Sequence, residues 1–218
     1  MPSIERTVAL LWPATIETFA MVAWSLFFSH LLGVPLGLLL VLTGPGGVAE
    51  NRLAYRILDA AVNFGRSVPF VILMVSVVPL TRFLTGTSIG PVAAVVPLTL
   101  AALPFVARLT ETAVLTVDRG TIEACISMGA SRLDLIRFVF IPESLPSLVS
   151  GMAVTAVNLV GYSAMAGAIG GGGLGDLAIR FGYQRWETEI MVASVAVLVA
   201  GVQIIQLLGD RISRWLRR

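Results

Sequence analysis

The chain has 218 residues, of which 56% are hydrophobic and 13% are charged, with a formal net charge of +2 and a mean hydropathy of +0.90. This composition excludes an ordinary soluble domain and predicts an integral membrane protein. All fifteen basic residues are arginine, which excludes a Walker A phosphate loop and lysine-dependent catalysis in this chain. The one cysteine, Cys125, excludes an intrachain disulfide.

Five apolar segments are long enough to cross the hydrocarbon layer, which requires roughly twenty residues in a helix. They follow one another in a single domain that covers residues 1–218. The predicted spans are 18–42, 60–81, 89–108, 146–170 and 190–209. The predicted fold class is therefore an all-α membrane protein of about five transmembrane helices.

The arginines are distributed unequally between the two sides of these spans. Four lie on the side of the amino terminus, and ten lie on the opposite side. The smaller set is Arg6, Arg82, Arg180 and Arg185. Because arginine-rich flanks stay in the cytosol, the amino terminus is predicted outside and the carboxyl terminus in the cytosol. Topology thus explains the small positive charge, and no nucleic-acid partner is expected.

The connection between spans three and four contains an amphipathic stretch, residues 119–142, here called the coupling segment. It is cytosolic in the predicted topology, and its apolar residues recur at steps of three and four. The apolar set is Ile122, Cys125, Ile126, Gly129, Leu133, Ile136 and Phe140. Ser131 and Asp134 form a capping-box pattern after Gly129, which predicts two short helices that meet at Gly129 and Ala130.

The charges of the coupling segment indicate what it contacts. Acidic and basic residues nearly balance on its polar face, whereas a helix on a lipid surface normally carries excess Lys or Arg. A protein surface is the preferred partner, although periodicity alone leaves lipid open. Glu123 is expected near a helix start, where a carboxylate interacts favourably with the dipole. Pro142 is expected to end the segment and Pro146 to begin the fourth span.

Six residues of the coupling segment follow a recognisable spacing: Glu123, Ala124, Gly129, Val139, Ile141 and Pro142. In this spacing the chain resembles the EAA loop of permease subunits in binding-protein-dependent ABC importers. Cys125 stands where that family usually has a second alanine. The resemblance implies a coupling helix that inserts into a separate ATPase subunit. Its implied contact residues are Glu123, Ala124, Cys125, Met128, Gly129 and Ala130.

Other motifs resemble the methionine-type permease of that importer class over nearly the whole chain. They are RSVPF at 66–70, GTSIG at 86–90, VPLTL and ALPFVAR within 96–108, and LVGYSAMAGAIGGGGLG at 159–175. The resemblance implies a non-catalytic subunit that transports D- or L-methionine across a bacterial inner membrane, with another amino acid or small solute as the alternative.

The same resemblance implies the partners of the chain. They are a second copy of itself, two cytosolic ABC ATPase subunits, an extracytoplasmic methionine-binding protein and membrane lipid. ATP and Mg are expected in the ATPase, and no cofactor or metal is expected in this chain.

The fourth span has a polar stripe along an otherwise apolar helix. Thr155, Asn158 and Tyr162 lie at i, i+3 and i+7, and Met165 continues the same side. Polar side chains in lipid usually face another helix or a watery path, so adhesion between helices and path lining both stay open. As a hypothesis, the translocation path is lined by Asn158, Tyr162, Ser163 and Met165.

Two further features are unusual for membrane spans. Arg66 is a charge within an apolar segment; because a central arginine is costly in lipid, it is expected to extend to the cytosolic interface, with pairing or gating as alternatives. The glycine run at 170–173 is expected to face outside, where it suits contact with a binding protein.

Two rival functions belong to other classes. An intramembrane serine protease could use Ser163 with His30, the one histidine of the chain, but that pair needs hydrogen-bond reach and an oxyanion site. A proton-driven carrier usually needs carboxylates inside the membrane, and the acids here bracket the spans or lie in loops. Both rivals are therefore disfavoured.

Overall fold

The computed structural model describes residues 4–216, which form helices and connecting turns with no strand among them. The helices are α1 Ile4–Thr43, α2 Arg52–Ser67, α3 Phe70–Ser76, α4 Val78–Thr85, α5 Pro91–Val114, α6 Arg119–Ser127, α7 Arg132–Leu135, α8 Ile141–Gly167, α9 Gly173–Leu177 and α10 Thr188–Leu216. Two π-helical turns, Ile136–Phe140 and Ala178–Tyr183, precede α8 and follow α9. The predicted all-helical class is confirmed.

Four helical bodies in the described part of the chain are long and apolar enough to cross a membrane. They are Glu5–Thr43, Pro91–Val114, Arg132–Gly167 and Thr188–Leu216. The pair α2 and α3 passes the same test together, although its two helices are bent by 102°. The predicted total of about five spans is reached when this bent pair counts as one crossing.

The second apolar segment does not form the single helix expected over residues 60–81. Val68 and Pro69 separate α2 from α3 with extended φ/ψ values of −79°/123° and −58°/135°. Val77 separates α3 from α4. Proline explains both breaks, because Pro69 disfavours a helical conformation of the residue before it, and Pro79 suits the first turn of a new helix.

The helix that leads into α8 does not stop at Pro142, contrary to the expectation from the sequence. α7, the π turn and α8 form one body, Arg132–Gly167, of 36 residues. Within it the Ile141 N–H donates to the carbonyl of Ile136, five residues earlier. A proline in a regular helix collides with the carbonyl four residues before it, so the wider turn makes room for Pro142. The coupling segment therefore continues directly into the long helix α8.

The central core lies where α1, α5 and α8 pack together. Its buried residues include Met21, Val22, Leu98, Ala102, Leu159 and Val160. Two glycines let α1 approach α5 closely: a Cβ on Gly37 would lie 2.5 Å from the Ala107 carbonyl oxygen, and one on Gly33 would lie 2.8 Å from Val106 Cβ. This G-x-x-x-G pair is thus used for packing within the chain.

Gly37→Ala is expected to destabilise the fold. The added methyl group overlaps the backbone of α5 and pushes the two helices apart, which costs about 1–3 kcal/mol. Gly151→Ala is the matched control, because its added Cβ would lie 3.5 Å from Leu109 Cδ1, an ordinary contact. Thermal unfolding of the solubilised protein should show a lower midpoint for Gly37→Ala than for Gly151→Ala. Equal midpoints for the two variants would contradict the close packing.

Candidate functional site

The coupling segment folds into the two short helices expected from its sequence. Gly129 has φ +84°, a conformation that favours glycine. The Ala130 N–H donates to the Cys125 carbonyl at 3.1 Å, and the Gly129 N–H donates to the Ile126 carbonyl at 2.9 Å. These two bonds form a Schellman motif, so Gly129 ends α6 and reverses the chain into α7.

The caps of the two helices are made by side chains of the segment itself. The Asp134 N–H donates to Ser131 Oγ at 3.3 Å, and the Ser131 N–H donates to Asp134 Oδ2 at 2.9 Å, which confirms the predicted capping box. Asp118 caps α6 by accepting the Thr121 N–H at 3.0 Å. Glu123 is the fifth residue of α6 and not in its first turn, so the expected interaction with the helix dipole belongs to Asp118.

One side of the coupling segment packs on the helical bundle. Leu135, Val139 and Phe140 are buried there, with Ile122, Cys125, Ala130 and Ile136 packed against them. Leu133, Ile126 and Gly129 were expected on this side, but Leu133 is 76% exposed, Ile126 is 45% exposed, and Gly129 is exposed as well. The turn at Gly129 resets the helical register, so Leu135 takes the buried position instead.

The segment also has an exposed surface, which we call the docking surface. It consists of Glu123, Ala124, Ile126, Met128, Gly129 and Leu133. Met128 is 78% exposed and Ile126 is 45% exposed, and clustered exposed apolar side chains indicate an interaction site. Of the six residues predicted for ATPase contact, Cys125 and Ala130 are half-buried and pack inwards, whereas the other four lie on the docking surface.

The polar residues of α8 are divided between an outer and an inner face. Asn158 and Met165 are exposed, and Tyr162 is half-buried. Ser163 is buried, and its hydroxyl donates to the Val160 carbonyl at 2.8 Å. Ser163 lies about 140° around the helix from Asn158. It therefore does not share the exposed face with the other three residues of the predicted path. Buried Thr155 likewise donates to its own helix, at the Gly151 carbonyl.

A cavity of about 170 Å³ lies between α5, α8 and the break that separates α2 from α3. Its lining is formed by Gly65, Arg66, Val68, Phe70, Ala101, Phe105 and Tyr162. The rings of Phe70 and Tyr162 stack with centroids 4.7 Å apart and planes inclined by 9°. Arg66, for which an extension to the cytosolic interface was expected, lines this cavity from the last turn of α2.

Arg108 joins α5 to α2 through a charged cluster that the sequence analysis did not predict. Its guanidinium donates to Asp59 Oδ1 at 2.5 Å, to Glu111 Oε2 at 2.5 Å and to Asn63 Oδ1 at 3.0 Å. Tyr55 completes the cluster by donating to Glu111 Oε1 at 3.5 Å. The sequence does place Asp59 and Asn63 at i, i+4 on α2, and Arg108 and Glu111 at i, i+3 on α5. Helical periodicity, however, does not predict that these two helices contact each other.

The glycine run at 170–173, which was expected on the outer side of the membrane, packs closely against its own chain. A Cβ on Gly171 would lie 2.8 Å from the Ala166 carbonyl oxygen, and one on Gly173 would lie 2.5 Å from Thr18 Oγ1. Glu17 Oε2 accepts the Gly173 N–H at 2.8 Å. The glycines therefore allow α9 to fold closely against α1 and α8.

The proposed Ser–His pair is not formed in the described residues. The Ser163 hydroxyl donates to the Val160 carbonyl. His30 Nδ1 lies 2.8 Å from the Leu26 carbonyl. Each side chain thus contacts its own helix, and the arrangement lacks the hydrogen bond that nucleophile activation requires.

Three comparisons with known proteins agree with this geometry. Residues 33–218 match the family described as binding-protein-dependent transport system inner membrane component. A probable D-methionine transport system permease protein of Vibrio cholerae is 51% identical over 205 residues, which cover 94% of this chain and 91% of the relative. The methionine import system permease protein of Bacillus subtilis is 47% identical over 213 residues, with coverages of 97% and 95%.

A solved structure has the same fold over its full length. The MetNI methionine ABC transporter, in a crystal form with an inward-facing conformation, contains a chain that superimposes with a TM-score of 0.96. The two chains are 44% identical, and the alignment covers 100% of each.

Proposed function

Because the chain belongs to the family of binding-protein-dependent transport system inner membrane components, we propose that it is the permease subunit of an ATP-driven methionine importer. Relatives at 51% and 47% identity carry methionine transport in their names, which supports methionine over another amino acid or small solute. One of these names specifies D-methionine and the other does not, so both enantiomers are candidate substrates.

The proposed assembly contains two copies of this chain, two ATPase subunits and an extracytoplasmic methionine-binding protein. The match to the MetNI methionine ABC transporter supports an ATPase partner. ATP and Mg are bound by that partner, and this chain acts as a non-catalytic transport subunit in the inner membrane. The arginine distribution supports an external amino terminus and a cytosolic carboxyl terminus.

The observation that carries this proposal is the continuous helical body that starts in α7, where Leu133 contributes to the docking surface, and runs past the cavity. α7 lies beside the Schellman turn at Gly129, and its body runs without interruption from Arg132 through α8. Leu135 and Phe140 anchor the start of that body in the bundle. A movement imposed on the docking surface therefore displaces α8, and with it the ring of Tyr162 that stacks on Phe70.

The proposed translocation path follows the outer face of α8. Asn158 and Met165 are exposed on that face, and Tyr162 borders the cavity beside it. In the dimer this face would lie towards the second copy, which would close the path. Ser163 is omitted from the path because its side chain is buried and bonded to its own helix.

The test of this function is transport by the purified assembly in proteoliposomes. The chain is isolated from its native membrane with the subunits that accompany it, and uptake of labelled L- and D-methionine is measured with the soluble receptor. We expect uptake to depend on ATP and to fall to the background level without it. Methionine-loaded receptor should also stimulate ATP hydrolysis.

The chain reconstituted alone is the control, and it should not accumulate methionine. Uptake by the isolated chain, or copurification without any nucleotide-binding subunit, would contradict the proposal. Stimulation of ATPase activity by a different solute and not by methionine would retain the importer and replace its substrate.

A further inference from the structure

The cavity at the break between α2 and α3 combines one cationic group with aromatic and aliphatic walls. Arg66 supplies the charge, and Val68, Phe70, Phe105 and Tyr162 supply apolar surface. Arg66 lies 14 residues after Arg52, about 21 Å along the axis of α2, and adjoins the break within the bent pair that can count as one crossing. Broken helices in transporters commonly surround the substrate near the midplane.

Arg66 has no ion pair or hydrogen bond with any residue from 4 to 216. The nearest polar groups on its own helix are already engaged. Asp59 accepts from Arg108 and from the Asn63 amide, and Asn63 Oδ1 also accepts from Arg108. The carboxylate of Asp59 is therefore bound by Arg108, and the guanidinium of Arg66 remains available to an anion.

Beside its polar groups, the cavity lining adds a smaller apolar surface against which an apolar side chain can lie. Half-buried Tyr162 presents its ring, which stacks on the buried ring of Phe70, and thioether sulfur makes favourable contacts with aromatic rings. The Tyr162 hydroxyl makes no hydrogen bond to the described residues, so it can accept one from an ammonium group. The cavity is small, with a volume of about 170 Å³, which favours a single small amino acid over a peptide.

We infer that this cavity is a transit site for a free amino acid with an apolar thioether side chain. Arg66 binds the α-carboxylate through charge-assisted hydrogen bonds, and the side chain lies against the rings of Phe70 and Tyr162. The inference rests on the proposed function and adds the site at which the permease itself holds the substrate. Binding of the amino acid's α-carboxylate therefore explains why Arg66 lies in an otherwise apolar segment.

The test uses the permease–ATPase complex in lipid nanodiscs without the receptor, so that binding is measured on the permease alone. A diazirine analogue of methionine with a free α-carboxylate is photolysed in the complex, and labelled peptides of this chain are identified by mass spectrometry. We expect labels at Phe70 or Tyr162. Labelling should fall by at least about tenfold in Arg66→Gln, because a bound carboxylate loses its charged partner. Arg56→Gln removes the same charge from the same helix and should label normally.

Competition separates carboxylate recognition from non-specific apolar binding. Unlabelled methionine should compete at a concentration at least about tenfold lower than methionine amide, which lacks the carboxylate charge. Equal competition by the two compounds, labels confined to other peptides, unchanged labelling in Arg66→Gln, or no specific label in the wild type would each overturn the transit site. Tyr162→Ala provides a second variant if Arg66→Gln does not assemble, and it should reduce labelling more than Tyr162→Phe, which keeps the ring and loses only the hydroxyl.

Uptake by the same wild-type complex with its receptor distinguishes the two proposals. If the wild type does not import methionine, the proposed function fails. If the wild type imports methionine and Arg66→Gln imports it at the same rate with unchanged labelling, only the transit site fails.

Discussion

Replacing Met128 and Leu133 together by aspartate is expected to reduce ATP-driven uptake at least tenfold. Both side chains lie on the docking surface, with exposures of 78% and 76%, so the fold of the chain does not require them. A carboxylate at an apolar contact must lose its hydration without gaining a partner. Truncation of a hot-spot residue at the centre of an interface costs about 2 kcal/mol or more, which is sufficient to weaken ATPase binding strongly.

The measurement combines uptake in proteoliposomes with copurification of the ATPase. Met128→Leu with Leu133→Met is the matched control, because it keeps apolar surface and approximate volume, and it should retain both activities. The thermal midpoint of the solubilised permease should be the same for both double variants. An aspartate variant that binds the ATPase and imports methionine normally would show that the docking surface has no coupling role.

Arg108→Gln is expected to lower the free energy of unfolding by about 2–3 kcal/mol. The variant leaves the carboxylates of Asp59 and Glu111 without their shared cation, and the Glu111 side chain is only 6% exposed. Breaking a fully buried pair costs about 3–5 kcal/mol, and the partial exposure of Arg108 and Asp59, 24% and 31%, reduces that figure. The thermal midpoint should fall by about 5–10 °C.

Arg52→Gln is the matched control for this prediction. The Arg52–Glu50 pair is at 3.4 Å, but the Arg52 side chain is 85% exposed, and such pairs contribute about 0–1 kcal/mol. The two variants carry the same substitution on helices that meet at one end of the bundle. If heating the solubilised proteins shows equal midpoints, the Arg108 cluster does not hold α2 against α5.

The Arg108 cluster also positions the cavity. It fixes α2 to α5 below the break, while the stacked pair Phe70 and Tyr162 connects α3 to α8 above it. The break at Val68 and Pro69 can therefore respond to α8 without releasing α2. We propose that mechanical coupling between the docking surface and the cavity uses this arrangement, in which the Arg108 cluster holds α2 and the Phe70–Tyr162 stack connects α3 to α8.

Local sequence properties were sufficient for the class of protein and for the coupling segment. Hydropathy is a sum over residues, so the membrane class and the apolar segments follow directly from composition and order. Capping depends on residues three or four apart, so Ser131, Asp134 and Gly129 predicted the junction of α6 and α7 correctly. The EAA spacing likewise lies within one short stretch.

Tertiary structure decided which side chains meet and which remain available. Arg108 and Asp59 are 49 residues apart in the chain, and no helical period relates them. The turn at Gly129 exchanged Leu133 for Leu135 in the core, and packing buried Ser163 while it left Asn158 exposed. The cavity beside Arg66 exists because a proline break, α5 and α8 converge. The periodicity of apolar residues specifies where helices form. Contacts between segments distant in the chain specify which helix faces are buried and which stay exposed.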